Sequence, residues 1–190
     1  MSLLTAFGAV REALERAGVA YAIGGSWAST AHGEPRATND IDFIASFNTL
    51  ALGDFLDALG PEFYFDAVTA REAIAHGRPF NVIHQTWSYK FDFFPVHTEH
   101  GEEELARRLM VLVPGLSAGQ LPIVTAEDTI LAKLRWYREG GESSSRQWRD
   151  VLGVLAAGGD RLDRAYLKRW ATRLGITDLY QRALDAADQL

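Results

Sequence analysis

The sequence predicts an α+β fold, in which a small mixed β-sheet is backed by helices and followed by a C-terminal helical subdomain. Three observations lead to this class. Short apolar runs alternate with helical stretches early in the chain, two further strands flank a turn near its middle, and the stretch after Pro114–Gly115 is mainly helical. With 190 residues and 47% hydrophobic residues, the chain is long enough for one domain with a helical appendage.

The first elements alternate between helix and strand. An apolar stripe at helical spacing predicts a helix over residues 4–17, which Gly18 ends. Apolar runs and turn residues then predict, in order, strand 19–23, helix 26–32, strand 40–45 and helix 49–59.

Strands dominate the middle of the chain and helices its end. We expect a short strand at 63–68, a helical turn at 69–76, strands at 80–84 and 89–95, and a last short strand at 123–125. Helices are predicted at 126–139, 145–157, 163–174 and 177–189. The polar stretch Gly140–Ser145 is the best candidate for a linker. The predicted domains are a core over 1–125 and a helical subdomain over 126–190.

Asp40 and Asp42 are the most informative residues of the chain. Side chains at positions i and i+2 of a strand point the same way, so the two carboxylates share one face while Ile41 points to the other. Adjacent carboxylates repel each other and require a compensating cation, for which oxygen ligands favour Mg²⁺ or Mn²⁺. The alternative is a polar strand end that carries two aspartates.

Gly24, Gly25 and Ser26 form a turn between the strand at 19–23 and the helix at 26–32. The glycines allow a tight turn with positive φ, and Ser26 is expected to cap the helix. The positive end of a helix is suited to bind phosphate. A phosphate site followed by paired carboxylates is what phosphoryl or nucleotidyl transfer from a bound triphosphate requires.

These motifs resemble a known family. Gly24–Ser26 followed by Thr38–Asp42 is similar to the signature of the polymerase-beta-type nucleotidyltransferase superfamily. Within it, Gly24–Ala28, Arg36–Asp42 and Glu127–Leu134 look closest to the abortive-infection (AbiEii-type) toxin-like nucleotidyltransferases. The resemblance spans about residues 20–155. It implies a small twisted sheet with the active site on its open side, and transfer of a nucleoside monophosphate from an NTP to an acceptor hydroxyl.

The resemblance also implies a third carboxylate on a later strand. Alternation over 89–95 places Lys90 and Asp92 on one face, and Asp92 joins the aspartate pair if this strand lies beside 40–45. Asp92 would then complete a metal site with Asp40 and Asp42. The alternative is an edge-strand aspartate that faces water. Asp66 is the rival third carboxylate, although its strand is shorter.

Two basic residues are candidates for phosphate contact. Lys133 lies on a helix that Thr125 caps, and a compact ammonium suits a triphosphate, although an exposed helical lysine is the simpler interpretation. Arg36 can reach a phosphate or pair with Glu34. The resemblance matches Arg149–Asp150 to a basic–acidic pair, with Arg in place of the more usual Lys, and leaves the role of Asp150 open.

Several function classes are excluded or disfavoured. The chain has no cysteine, so it has neither disulfides nor thiolate zinc sites. It has no apolar run near 20 residues, no P-loop and no Gly-x-Ser-x-Gly motif. His97 and His100 lack the spacing of a zinc site. The start of the chain shows no secretory signal, so we expect a cytoplasmic protein without membrane contact.

We therefore predict a metal-dependent nucleotidyltransferase. Asp40, Asp42 and Asp92 are the predicted catalytic residues and metal ligands; the predicted phosphate-binding residues are Gly24, Gly25, Ser26, Arg36 and Lys133. The expected acceptor is tRNA or a protein, as in a toxin with an antitoxin partner, and residues 133–190 hold 11 Lys/Arg against 8 Asp/Glu. The alternatives are an antibiotic-type enzyme with a small-molecule acceptor, or a catalytically silent nucleotide-binding or toxin–antitoxin interaction protein.

Overall fold

The computed structural model describes residues 3–35, 37–112 and 119–187. They form two compact units, of which the first contains the chain up to Ile23 and the stretch Thr38–Ile123. The second contains Gly24–Ala37 and the chain from Val124 onward. Each unit is therefore built from two separate stretches of sequence. The predicted domain ranges 1–125 and 126–190 stay a prediction.

The elements follow one another in the order that the sequence analysis gives, with additions near residue 100. In chain order they are α1 (Leu3–Arg16), β1 (Ala20–Ile23), α2 (Gly25–His32), β2 (Asp40–Ser46), α3 (Thr49–Ala58), β3 (Phe63–Tyr64), α4 (Ala67–Ala75), β4 (Phe80–His84), β5 (Tyr89–Pro95), α5 (Glu99–Arg107), β6 (Leu109–Leu112), β7 (Gln120–Ile123), α6 (Ala126–Glu139), α7 (Ser145–Gly158), α8 (Arg164–Arg173) and α9 (Thr177–Ala187). A single 3₁₀ turn, Gly159–Arg161, lies between α7 and α8.

The first unit is organised around a seven-stranded sheet with the strand order β3-β4-β5-β2-β1-β7-β6. β2 runs parallel to β5, and β1 runs parallel to β7. The other neighbouring strands are antiparallel. The sheet is therefore mixed, and the prediction of an α+β core with a mixed sheet followed by helices is confirmed.

One face of the sheet is an aromatic core. Phe43 of β2 and Phe93 of β5 are fully buried and stack on each other with 5.0 Å between ring centroids. Phe7 of α1 stacks on Phe43 at 5.9 Å, and Phe55 of α3 meets Phe93 edge-on at 5.2 Å. These helices cover this face, so the residues of opposite parity on β2 and β5 point to the other face.

The second unit is a helical assembly. Its core joins residues of α6 to α9, among them Leu134, Val151, Leu167 and Trp170, all of them buried. Helix α2 packs on α6 and α7. Gly33, which follows α2, has no room for a side chain, because a Cβ atom there would lie 3.0 Å from the Val154 nitrogen.

Two elements were not predicted. Helix α5 and strand β6 lie in a stretch that the sequence analysis left unassigned, and they place an extra antiparallel strand beside β7. Three predicted elements have other extents in the structure. The strand predicted at 63–68 contains only two residues, and the strand predicted at 123–125 instead ends at Ile123. The helical turn predicted at 69–76 is a full helix, α4. Among the described residues, none of the helices is long and apolar enough to cross a membrane.

Asp66 is not a strand residue. Its carboxylate caps α4 by accepting hydrogen bonds from the backbone N–H groups of Val68 and Thr69, at 2.9 and 3.0 Å. The hydrogen bond from Thr69 is the main cause of a lowered pKa for this carboxyl group. The structure therefore gives Asp66 a capping role and removes the reason for considering it as the third carboxylate.

Candidate active site

The structure brings the three predicted carboxylates onto one face of the sheet. In the parallel pairing of β2 with β5, Asp42 lies directly opposite Asp92, and Asp40 lies opposite Lys90. All three aspartates are half-buried, whereas the alternate residues of both strands are fully enclosed in the aromatic core. The expectation that 89–95 lies beside 40–45 is thus confirmed. The roles of the three carboxylates in catalysis stay a prediction.

Two of the three carboxylates have identified partners close by. The Nζ atom of Lys90 lies 2.8 Å from Oδ1 of Asp92, and the hydroxyl group of Thr38 donates a hydrogen bond to Oδ1 of Asp40. Asp42 is also engaged in an interaction. On the other side of β5, Asn81 of β4 lies opposite Asp92. The acidic face is therefore bordered by hydrogen-bonding side chains.

The donor chemistry of this face fits a divalent metal ion, because carboxylate oxygens are the ligands that Mg²⁺ and Mn²⁺ prefer. Lys90 and Thr38, however, hold Asp92 and Asp40 in other contacts. Within residues 3–35, 37–112 and 119–187, no three acidic or histidine side chains converge closely enough to hold an ion as they stand. Metal binding at this face therefore requires that these carboxylates exchange partners.

The Gly24–Ser26 turn lies at the start of α2, in the second unit. Gly24 is the N-cap residue, and Gly25 begins the helix with φ of +55°, a left-handed value that favours glycine. Ser26 is therefore the second residue of the helix, and the prediction that Ser26 caps it was wrong. Ser26 is buried, and the turn still places backbone N–H groups at the positive end of a helix.

Lys133 is buried, so the interpretation as an exposed helical lysine was wrong. Its Nζ atom lies 2.8 Å from Oδ2 of Asp150 on α7, and the two side chains are only 6% and 8% exposed. This contact joins α6 to α7. It also identifies Asp150, whose role the sequence left open, as the ion-pair partner of Lys133. Arg149, the neighbouring residue, is exposed.

Three further residues that the sequence analysis considered are Arg36, His97 and His100. Arg36 lies outside the described residues. His97 donates a hydrogen bond from Nδ1 to the carbonyl oxygen of Pro95 at 2.9 Å, and His100 is buried in α5. Sequence reasoning missed the pairing of Lys90 with Asp92, although the i, i+2 spacing in a strand signals that two such side chains can meet.

The sequence analysis also did not identify the structural role of Asp128, a buried residue that connects elements of the second unit. Its Oδ1 atom accepts from the hydroxyl group of Tyr166 at 2.5 Å, and its Oδ2 atom accepts from Thr125 at 2.7 Å. The adjacent Glu127 accepts from the backbone N–H of Asp163 at 2.8 Å. The start of α6 is thereby fastened to the start of α8.

Comparisons with known proteins support the fold. The sequence matches no family model and no curated protein. The structure, however, is similar to the solution structure of the antibiotic-resistance factor ANT(2'')-Ia, with a TM-score of 0.56, 12% identity, and coverage of 94% of this chain and 96% of the other. It is also similar to the crystal structure of ANT(2'')-Ia in complex with adenylyl-2''-tobramycin, with a TM-score of 0.55, 15% identity, and coverage of 90% and 97%.

This likeness extends over nearly the whole of each chain, so it includes the helices after the sheet as well as the sheet itself. The predicted nucleotidyltransferase fold with C-terminal helices is thereby confirmed. The finer resemblance to abortive-infection toxin-like members is not confirmed by these comparisons.

Proposed function

We propose that the chain is a metal-dependent nucleotidyltransferase that moves a nucleoside monophosphate from an NTP to a hydroxyl group of a small molecule. The observation that carries this proposal is the parallel register of β2 and β5, which sets Asp42 opposite Asp92 and keeps Asp40 on the same face. Oxygen ligands on neighbouring strands are what a divalent ion with a triphosphate requires.

In this proposal Asp40, Asp42 and Asp92 hold Mg²⁺ or Mn²⁺, which when bound offsets the charge of the phosphates. The backbone N–H groups at Gly24, Gly25 and Ser26 bind phosphate oxygens at the start of α2. Asp92 also orients the acceptor hydroxyl and accepts its proton, because it is a half-buried carboxylate on the half-exposed face of the sheet. The hydroxyl oxygen attacks the α-phosphorus in line, and pyrophosphate leaves.

A small-molecule acceptor is favoured by the structural neighbours. ANT(2'')-Ia is described as an antibiotic-resistance factor and was crystallised with adenylyl-2''-tobramycin. The chain shares its fold over nearly the whole length of both chains. We therefore rank the antibiotic-type function above the toxin-like function.

A tRNA acceptor is the second candidate, and one observation favours it. Helix α8 exposes Arg164, Lys168, Arg169 and Arg173 with no acidic residue between them, which suits a polyanion. A protein acceptor, an antitoxin partner and a catalytically silent protein belong to the same toxin-like hypothesis, and no contact among the described residues favours them.

Phosphate contacts by Arg36 and Lys133 remain part of the proposal. For Lys133 the proposal requires a rearrangement, because its ammonium group is buried against Asp150. A structural role in joining α6 to α7 is the simpler function for this pair.

Label transfer tests the proposed function. The protein is incubated with each NTP labelled at the α-phosphate, Mg²⁺ or Mn²⁺, and either aminoglycosides or total tRNA. We expect metal-dependent label on an aminoglycoside, and we expect a loss on the order of 10²-fold or more for Asp42→Asn. Asp54→Asn is the matched control, since Asp54 is an exposed aspartate on α3 in the same unit. Label on tRNA alone would replace the small-molecule acceptor, and label on neither would contradict the enzymatic proposal.

A further inference from the structure

We propose that Lys90 is the internal counter-ion of the acidic face, and that its ammonium group competes with the divalent ion for Asp92. In the metal-free protein Lys90 holds Asp92, and it has to release Asp92 when metal binds. This inference rests on the proposed function, because it takes Asp92 as a metal ligand.

The position of Lys90 follows from the register of the sheet. Lys90 and Asp92 are two residues apart on β5 and share one face, and their charged atoms lie 2.8 Å apart. Across the parallel pairing, Lys90 lies opposite Asp40, and Asp92 lies opposite Asp42. The carboxylate that the ammonium group contacts is that of Asp92, and this carboxylate is the one directly opposite Asp42.

Electrostatics favours a cation beside Asp92. This carboxylate shares a face with two others, so a neighbouring positive charge stabilises its ionised form. The charge that the structure places at Asp92 is the ammonium group of Lys90, at 2.8 Å.

The solvent exposure of Lys90 and Asp92 indicates that a metal ion can replace the ammonium group as the partner of Asp92. The Lys90 side chain is 48% exposed and that of Asp92 is 16% exposed, so the ammonium group can move into water at little energetic expense. The pair of Lys133 and Asp150 is the contrasting case, because both side chains are almost entirely buried and neither can be hydrated in place. Lys90 is thus an ion-pair partner that can be displaced from Asp92, whereas Lys133 is held in place beside Asp150.

Two consequences follow from this competition. Removing the charge of Lys90 should destabilise the metal-free protein, since Asp92 then loses the ammonium group that lies 2.8 Å from it. It should also strengthen metal binding, since Mn²⁺ no longer has to displace an ammonium group. By linkage, the change in Mn²⁺ affinity corresponds to the difference between the effects of the substitution on stability with and without the ion.

The experiment compares wild type, Lys90→Met and Lys90→Arg with the control Lys168→Met, which removes an exposed lysine on α8 in the other unit. Thermal unfolding is measured in EDTA and in saturating Mn²⁺, and the dissociation constant for Mn²⁺ is measured by calorimetry without nucleotide. Asp42→Asn is added to establish that the ion binds at this face.

We expect Lys90→Met to bind Mn²⁺ roughly fivefold more tightly than wild type, the factor that corresponds to an ion pair of about 1 kcal/mol. Its melting temperature should be below that of wild type in EDTA, and the difference should narrow or reverse in Mn²⁺. Lys90→Arg should bind no more tightly than wild type, because it keeps the charge, and Lys168→Met should match wild type in both measurements.

The outcomes separate this inference from the proposed function. Unchanged Mn²⁺ affinity in Lys90→Met, with binding still abolished by Asp42→Asn, overturns the role of Lys90 and leaves the metal site intact. If neither wild type nor Lys90→Met binds Mn²⁺, or if Asp42→Asn binds it as wild type does, the metal site of the proposed function fails and the role of Lys90 fails with it.

Discussion

The buried ion pair between Lys133 and Asp150 leads to the most quantitative prediction. Lys133→Met keeps the length of the side chain and removes the ammonium group. It leaves the carboxylate of Asp150 in a site where its side chain is 8% exposed, without the partner that lies 2.8 Å away in the wild type. An ionised carboxylate in such a site has lost most of its hydration, so the removal of an ammonium group at 2.8 Å withdraws a strong source of its stabilisation.

The expected effect is large and depends on which partner is removed. Breaking a buried ion pair by removal of one member costs about 3–5 kcal/mol of unfolding free energy, whereas replacing both members by apolar residues is often neutral or stabilising. Lys133→Met should therefore be severely destabilising. The double variant Lys133→Met with Asp150→Leu should recover most of the loss, because no uncompensated charge remains between α6 and α7.

Urea unfolding followed by tryptophan fluorescence measures these differences. Four of the five tryptophans, at positions 27, 136, 148 and 170, belong to the second unit, so the signal reports chiefly on the unit that contains the pair. The matched control is Lys168→Met, which should change stability by less than about 0.5 kcal/mol.

Binding of an NTP to the double variant separates the two roles of Lys133. If the lysine is structural, the stable double variant should bind NTP as wild type does. If it contacts phosphate, the double variant should be stable and should bind NTP weakly. A loss below about 1 kcal/mol in Lys133→Met, or a double variant as unstable as the single one, would refute the assignment of a buried structural pair.

Three further predictions concern the acidic face, the acceptor and the second unit. A melting-temperature series should show that NTP stabilises the wild type only with Mg²⁺ or Mn²⁺, and that Asp42→Asn loses this metal-dependent part; equal shifts in both proteins would contradict metal binding. For a tRNA acceptor, filter binding should show affinity that falls with salt at a log–log slope of roughly −0.7 to −0.9 per phosphate contact, and weaker binding after joint alanine substitution of Lys168, Arg169 and Arg173; for a small-molecule acceptor, the same triple variant should transfer nucleotide normally. Tyr166→Phe should lower the unfolding free energy by about 1–3 kcal/mol in urea titrations, since it leaves a buried carboxylate oxygen short of a donor, and an unchanged midpoint would refute that contribution.

The acidic face is the part of the site that the sequence predicts best. Alternation in a strand depends only on backbone geometry, so Asp40 and Asp42 share a face wherever that strand lies. The start of α6 was predicted for a similar reason, because capping is local: Thr125 accepts a hydrogen bond from the N–H of Asp128 at 3.2 Å, as expected for an N-cap. Features set by neighbours in sequence are accessible before the fold is known.

The features that were not predicted depend either on contacts between residues far apart in sequence or on boundaries that no glycine or proline marks. The burial of Lys133 comes from α7 packing on α6, and no local pattern distinguishes a buried from an exposed lysine on a helix. Helix α5 has local signals, since Thr98 caps it and Glu99 and Glu102 lie in its first turn, but only Arg108 separates it from β6. A helix that passes into a strand without a glycine or proline gives no visible boundary.

That Asp42 lies directly opposite Asp92 depends on the exact register of β2 and β5. This is a stricter condition than that the two residues lie on the same face. Phe43 and Phe93 are buried on the aromatic side, so a slip of one residue between β2 and β5 would bring core residues to the wrong face. A slip of two residues would preserve the burial pattern and yet set Asp92 opposite Asp40 or Ile44. In the observed register Phe43 lies opposite Phe93, and their rings stack with 5.0 Å between centroids and an interplanar angle of 16°. The same register therefore sets both the aromatic packing on one face of these strands and the spacing of the proposed metal ligands on the other.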